Sequence, residues 1–126
     1  MTFAVDASVM LAMIFEEPGT NGVFEVIRGG MMSTVNFSEV LTKCLEQGAD
    51  ADFAEWQIGR LNISREPFTV DDAKAAAALR LPTRYRGLSL GDRACLALAL
   101  RANVPVITAD RQWDGLDVGV EIRVIR

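Results

Sequence analysis

Two aspartates close short apolar runs at opposite ends of the chain. Phe3-Ala-Val5 leads into Asp6-Ala-Ser8, and Val104-Pro-Val-Ile-Thr108 leads through Ala109 to Asp110. A short β-branched apolar run reads as a buried strand. In open α/β sheets, ligands sit beyond the carboxyl ends of the strands. A carboxylate at that point can hold a cation or move a proton. Ser8 and Thr108 each lie two residues from their aspartate, so each acid has a hydroxyl within reach. Two further acids open helices instead of ending strands: Glu39, in Asn36-Phe-Ser-Glu39, and Asp92, in Leu88-Ser-Leu-Gly-Asp92. Strand ends and the N-termini of the helices that follow share one rim, so the four carboxylates can meet there. Unpaired, they would repel and raise one another's pKa. Divalent cations would relieve that repulsion, and an all-oxygen donor set suits Mg2+ or Mn2+ better than zinc.

Each of these acids also has a purely structural reading. Asp110 can cap the helical turn after it, and Ser8 can be the N-cap of a helix over Val9–Phe15. Asn36 with Glu39, and Ser89 with Asp92, have the spacing of a cap and its N3 partner. The residues alone leave both readings open at all four places.

The totals narrow the chemistry. The chain has no histidine, which removes imidazole acid–base catalysis, Ser-His triads and His-ligated metals together. Seventeen acids against thirteen bases give a net charge of −4, the wrong sign for plain nucleic-acid binding. Two divalent ions in a four-carboxylate cluster would bring that charge to about zero, so the objection holds only for a metal-free protein. Cys44 and Cys95 fall inside apolar helical patterns and read as core. The longest apolar runs, Val9–Phe15 and Ala94–Leu100, are seven residues each, far short of the roughly 20 that span a bilayer. With no basic leader before the first strand, a cytosolic protein without a membrane segment is expected.

The elements alternate. Helices are expected over Val9–Phe15, Thr20–Arg28, Val35 to Gly48, Asp50 to Asn62, Thr69 towards Pro82, and from Gly87 through the almost wholly apolar Ala94–Leu100. Strands are expected at Phe3–Val5, Met31–Ser33, Ile63–Phe68, Val104–Thr108 and Val118–Val124. Pro67 marks its strand as an edge, because proline donates no ladder hydrogen bond. Asp71 and Asp72 read as first-turn acids favoured by the helix dipole. This order predicts a single α/β domain over residues 1–126: a parallel sheet of four to five strands with helices on both faces.

The four segments Phe3-Ala-Val-Asp6-Ala-Ser8, Asn36-Phe-Ser-Glu39, Leu88-Ser-Leu-Gly-Asp92 and Ile107-Thr-Ala-Asp110-Arg-Gln-Trp113 resemble the signature segments of PIN-domain ribonucleases, in order and across nearly the whole chain. More closely, they resemble the small toxins of the VapC type. The resemblance implies an α/β/α sandwich with the first strand central and the third at an edge. It implies that Asp6, Glu39, Asp92 and Asp110 form the catalytic, metal-binding quartet, supported by Ser8, Asn36 and Thr108, with Asp114 either a peripheral acid or a solvated turn residue. It further implies one or two Mg2+ or Mn2+ ions, hydrolysis of RNA (structured RNA such as tRNA), a small VapB-like antitoxin as partner, and a homodimer. Arg84, Arg86 and Arg93 lie nearest in sequence to the loop that carries Asp92, and are expected to hold the RNA backbone. Three other classes compete. A PIN-like scaffold would bind RNA or protein without cutting. A haloacid-dehalogenase-like phosphatase would use Asp6 as nucleophile, but needs an aspartate where Ser8 stands. A phosphoacceptor receiver module needs a lysine after a later strand, and the only lysines, Lys43 and Lys74, fall in expected helices.

Overall fold

The computed structural model describes all 126 residues. Five short parallel strands form one sheet in the order β3-β2-β1-β4-β5. These are β1 (Ala4–Val5), β2 (Met31–Ser33), β3 (Ser64–Glu66), β4 (Val106–Thr108) and β5 (Ile122–Val124). The first strand is central, the third lies at an edge, and Pro67 follows directly after β3. Because order reverses between β1 and β4, the crevice where such sheets bind ligands opens at their carboxyl ends.

Alternation along the central strands divides the interior into two cores. Phe3, Val5 and Ile107 face a cluster completed by α1 (Ala7–Ile14), α2 (Val23–Ile27), α3 (Thr34–Glu46) and α4 (Ala51–Arg60), through Met10, Ile27, Val40, Cys44 and Ile58. Ala4 and Val106 face the other way, onto Cys95, Leu96, Leu98 and Ala99 of α7 (Leu90–Ala102). Helices α5 (Val70–Ala78) and α6 (Arg80–Thr83) precede α7 in the chain, and Leu79 between them joins this second core. The apolar run of α7 is buried nearly all round, as its composition requires. No helix is long and apolar enough to cross a membrane.

Several local expectations are corrected. The second helix covers only Val23–Ile27, because Gly22 before it sits in the left-handed region. The last strand pairs only over Ile122–Val124, with Gly119 at φ 90° interrupting the alternating run. Asp72 is more than a first-turn acid. It closes a capping box with Thr69, is 3% exposed, and takes two hydrogen bonds from Arg101 of α7, at 2.9 and 3.1 Å. Burial pulls its pKa upward, but the Arg101 guanidinium and the Thr69 bonds prevail and hold it below the usual carboxylate range.

That pair pins α5 to α7, and its removal strands a buried carboxylate. Arg101→Ala is therefore expected to cost about 2 kcal/mol, reduced from the fully buried case because the arginine is itself half exposed. Urea unfolding at neutral pH measures it; a loss below about 0.5 kcal/mol would assign the pinning to apolar contacts.

Candidate active site

At the carboxyl rim of the sheet, an open depression of about 750 Å³ is lined by Asp6, Glu39, Asp92 and Asp110, together with Ser8, Thr34, Ser38, Thr42 and Lys43. Four acids from distant parts of the chain thus share one wall. Each arrives on its own element.

Asp6 follows β1 and is 4% exposed. Its amide still ladders to the Ile107 carbonyl at 3.0 Å, so its position is fixed by the sheet. Ser8 and Thr108 both donate to Oδ2, at 2.5 and 2.9 Å. The two hydroxyls lie 3.3 Å apart, but each has spent its one proton on Asp6. As acceptors they take the amides of Ala109 and Asp110, at 2.9 and 3.1 Å. Four groups separated by about a hundred residues are tied into one network, and Oδ1 stays outside it. Ser8 is consequently not the cap of α1. That place belongs to Asp6, whose side chain makes no capping bond.

Glu39 lies on α3, whose N-cap is Ser33, so the expected Asn36–Glu39 capping box does not form. Asn36 is instead fully buried and uses its Nδ2 twice, donating to Glu39 Oε1 and to the Gly91 carbonyl, both at 2.9 Å. It braces Glu39 against the start of α7. There the carboxylate rests on Gly91, where a Cβ would come within 2.2 Å of Glu39 Oε2. Asp92 does close the expected capping box: its Oδ2 accepts from the Ser89 amide at 2.9 Å, and its own amide donates to Ser89 Oγ at 3.2 Å. Asp110 caps a 3-10 turn, Arg111–Trp113, through Gln112 N–H at 2.9 Å. Trp113, fully buried in the second core, anchors that turn. Asp92 and Asp110 therefore each cap a turn and also line the depression.

Burial raises the pKa of Asp6 to about 6, helped by the charges of Asp92 and Glu39 and opposed by the Ser8 and Thr108 hydroxyls. Burial likewise raises Glu39, with Asp92 adding repulsion and Asn36 opposing, and raises Asp92, with Asp110 adding repulsion. Cys95 lies beneath the cluster, where burial and three of these carboxylates push its thiol well up. The donors are hard oxygens throughout, as Mg2+ or Mn2+ would require, with neither imidazole nor thiolate in the lining. As the side chains stand, no three acids close around one point at ligating distance. The acids supply the right chemistry in an open arrangement rather than a ready-made cage.

The expected arginines are placed elsewhere, and none lines this depression. Arg86 is fastened to the carbonyls of Gln112 and Asp114, Arg93 donates to the Ala76 carbonyl at 2.9 Å, and Arg84 is exposed. Asp114 lies outside the lining too. Sequence reasoning missed Lys43, Ser38 and Thr42. Ser38, Glu39, Thr42, Lys43 and Glu46 recur at helical spacing, so a polar stripe opposite the apolar face of α3 was the available signal.

Residues 3–119 match the PIN-domain family. The chain belongs to the PIN-domain family, a family of nucleases. Among curated proteins none matches the chain. Several solved structures share the fold. A toxin–antitoxin complex from Klebsiella pneumoniae superposes with a TM-score of 0.76 at 16% identity, covering 100% of this chain and 98% of that one. VapBC2 from Rickettsia felis, bound to a DNA fragment from their promoter, gives 0.73 at 11% identity, with 98% of each chain covered. VapBC-5 from Mycobacterium tuberculosis gives 0.60 at 24% identity, covering 97% of this PIN domain and 95% of that chain.

Two outcomes are expected. The protonated, buried Asp6 contributes stability that is complete below about pH 4 and is lost as pH rises through about 6. In chelator at pH 7.5, Asp6→Asn should therefore raise Tm by about 5 °C or more, with the gap closing towards pH 4; equal melting curves at both pH values would refute it. Gly91→Ala should leave stability within about 1 kcal/mol, since alanine suits a helix and the displaced group is a flexible side-chain end. It should nonetheless expel Glu39 from its seat, returning that carboxyl's pKa towards 4.5 in a carbon-detected NMR titration; an unchanged titration would show the seat is not needed.

Proposed function

We propose that this PIN domain is a metal-dependent endoribonuclease of the VapC type, the toxin of a type II toxin–antitoxin pair. The observation that carries this reading is the gathering of Asp6, Glu39, Asp92 and Asp110 on one depression at the switch point of a parallel sheet. Family membership supports it, as do the toxin–antitoxin complexes among its structural relatives. Asp6, Asp92 and Asp110 would hold one or two Mg2+ or Mn2+ ions, with Glu39 holding a second ion or orienting the attacking water. Such ions, when bound, lower the pKa of water and stabilise charge on a phosphodiester. The chain's own residues do the rest. Ser8 and Thr108 hold the Asp6 carboxylate in one rotamer with Oδ1 left open, and Asn36 fixes Glu39. Water adds to phosphorus and the bond to the 3′ oxygen breaks, which takes up a proton; the products carry 5′-phosphate and 3′-hydroxyl ends.

A VapB-like antitoxin and a homodimer belong to the same reading, with structured RNA such as tRNA as substrate class. One observation favours a scaffold that binds without cutting: the acids do not converge on a single point in the free protein. The phosphatase reading loses its footing, because Ser8 stands where a second aspartate is needed and its proton is committed to Asp6.

Mapping of cut ends separates the two surviving readings. Purified protein with Mg2+ or Mn2+ should cut total RNA to 5′-phosphate ends. Cleavage should vanish in excess chelator and fall by at least about a hundredfold in Asp6→Asn or Asp110→Asn, whose melting curves remain cooperative. RNA binding without cleavage under every ion condition would establish the scaffold. Cutting that survives chelation would remove the ions from the mechanism.

A further inference from the structure

The acid-lined depression does not end at the acids. A second hollow of about 470 Å³ shares Ser8, Leu11 and Lys43 with it, and adds Phe15, Glu17, Gln47 and Arg126. A third, of about 420 Å³, shares Arg126 with the second and adds Arg111 and Ala109, the neighbours of Asp110 on either side. The three hollows adjoin through these shared residues and are together termed the groove. Of the chain's thirteen lysines and arginines, only Lys43, Arg126 and Arg111 line it.

These cations are set in place. The Arg126 side chain packs over Gly19, where a Cβ would come within 2.9 Å of it. Its guanidinium donates to the Pro18 carbonyl at 3.0 Å and meets Glu17 at 3.5 Å. Arg111 donates its Nε to the Arg126 carbonyl at 2.9 Å, so the two arginines are held side by side. Lys43 is exposed and has no carboxylate within ion-pair distance, though Glu46 shares its wall. Phe15 is 39% exposed and lines the second hollow together with Lys43 and Arg126.

We propose that this groove is the track for a single-stranded stretch of the RNA substrate leading from the acids, with Lys43, Arg126 and Arg111 holding backbone phosphates and Phe15 stacking one base. The inference rests on the ribonuclease reading and names where its substrate lies. Cations beside an aromatic ring are what a single strand requires: charge for the backbone and a face for any base. An acidic protein segment would use the cations but not the ring. The acids alone repel a polyanion, so the flanking phosphates need this wall. The track turns away from the Arg84–Arg93 segment, none of whose arginines lines the three hollows.

The probe is a fluorescent, unstructured oligoribonucleotide of about 10 nucleotides, which bounds the site size of one small domain, titrated into full-length protein with Ca2+ in place of the catalytic ion. Lys43→Glu and Arg111→Glu should each weaken binding about tenfold and reduce the salt slope by about one contact. Phe15→Ala should weaken it about fivefold or more with the salt slope unchanged. In cleavage assays all three should raise KM. Lys74→Glu, on α5 away from the groove, makes the same charge change and should do neither. If the wild type cuts RNA but the groove variants bind it as the wild type does, or Arg84→Glu alone weakens binding, the track is overturned and the ribonuclease reading stands. If the wild type neither binds nor cuts RNA, both fall. Polyglutamate that competes equally well, together with an inert Phe15→Ala, overturns the RNA track in favour of an acidic protein segment.

Discussion

Keeping like charges together out of bulk water is the constraint on which this molecule depends. A carboxylate as enclosed as Asp6 would ordinarily be neutral or paired with a cation, and no lysine or arginine reaches it. Two hydroxyls stand in for the missing countercharge, and their acceptor sides are occupied by the amides of Ala109 and Asp110. Proton direction along this network is forced: amides can only donate, so the hydroxyls must give their protons to Asp6. The result is a carboxyl that is held in place yet remains easy to protonate, with one oxygen outside the network.

The same economy runs through the other acids. Asp92 and Asp110 each finish a helical turn and each line the groove. The thirteen-residue α7 directs its N-terminus at the rim, and the partial positive charge there offsets some of the repulsion among Asp92, Glu39 and Asp6. A glycine at position 91 lets a carboxylate lie against the first turn without steric cost. Structural satisfaction and chemical readiness are thus carried by the same atoms. A sequence motif that looks like a cap and one that looks like a site need not compete.

The legible part of the sequence was the part governed by periodicity. Strand-ending aspartates, the almost wholly apolar α7 and the edge position beside Pro67 follow from alternation, composition and a missing N–H, and from these comes the parallel sheet. What spacing conceals is which neighbour a polar side chain selects. Asn36 has the spacing of a cap, but Ser33, three residues earlier, takes that role, which frees the amide to bridge Glu39 and Gly91 across fifty-five positions. Asp72 shows the same blindness: its first-turn place was readable, its arginine on another helix was not. Nearness along the chain did not bring Arg84, Arg86 or Arg93 into the lining of the depression. Short loops bring sequence neighbours close without aiming them, while the polar stripe of α3 placed Lys43 in the groove from the far side of the fold.

Parallel pairing has one more implication, which concerns time. Central β1 is completed only by β4, with Ala4 in register with Val106, and the hydroxyl that steadies Asp6 arrives with Thr108. During synthesis on the ribosome, the first acid therefore waits through some hundred residues before its surroundings exist. No nascent fragment that stops short of β4 and Asp110 can assemble the four-acid wall.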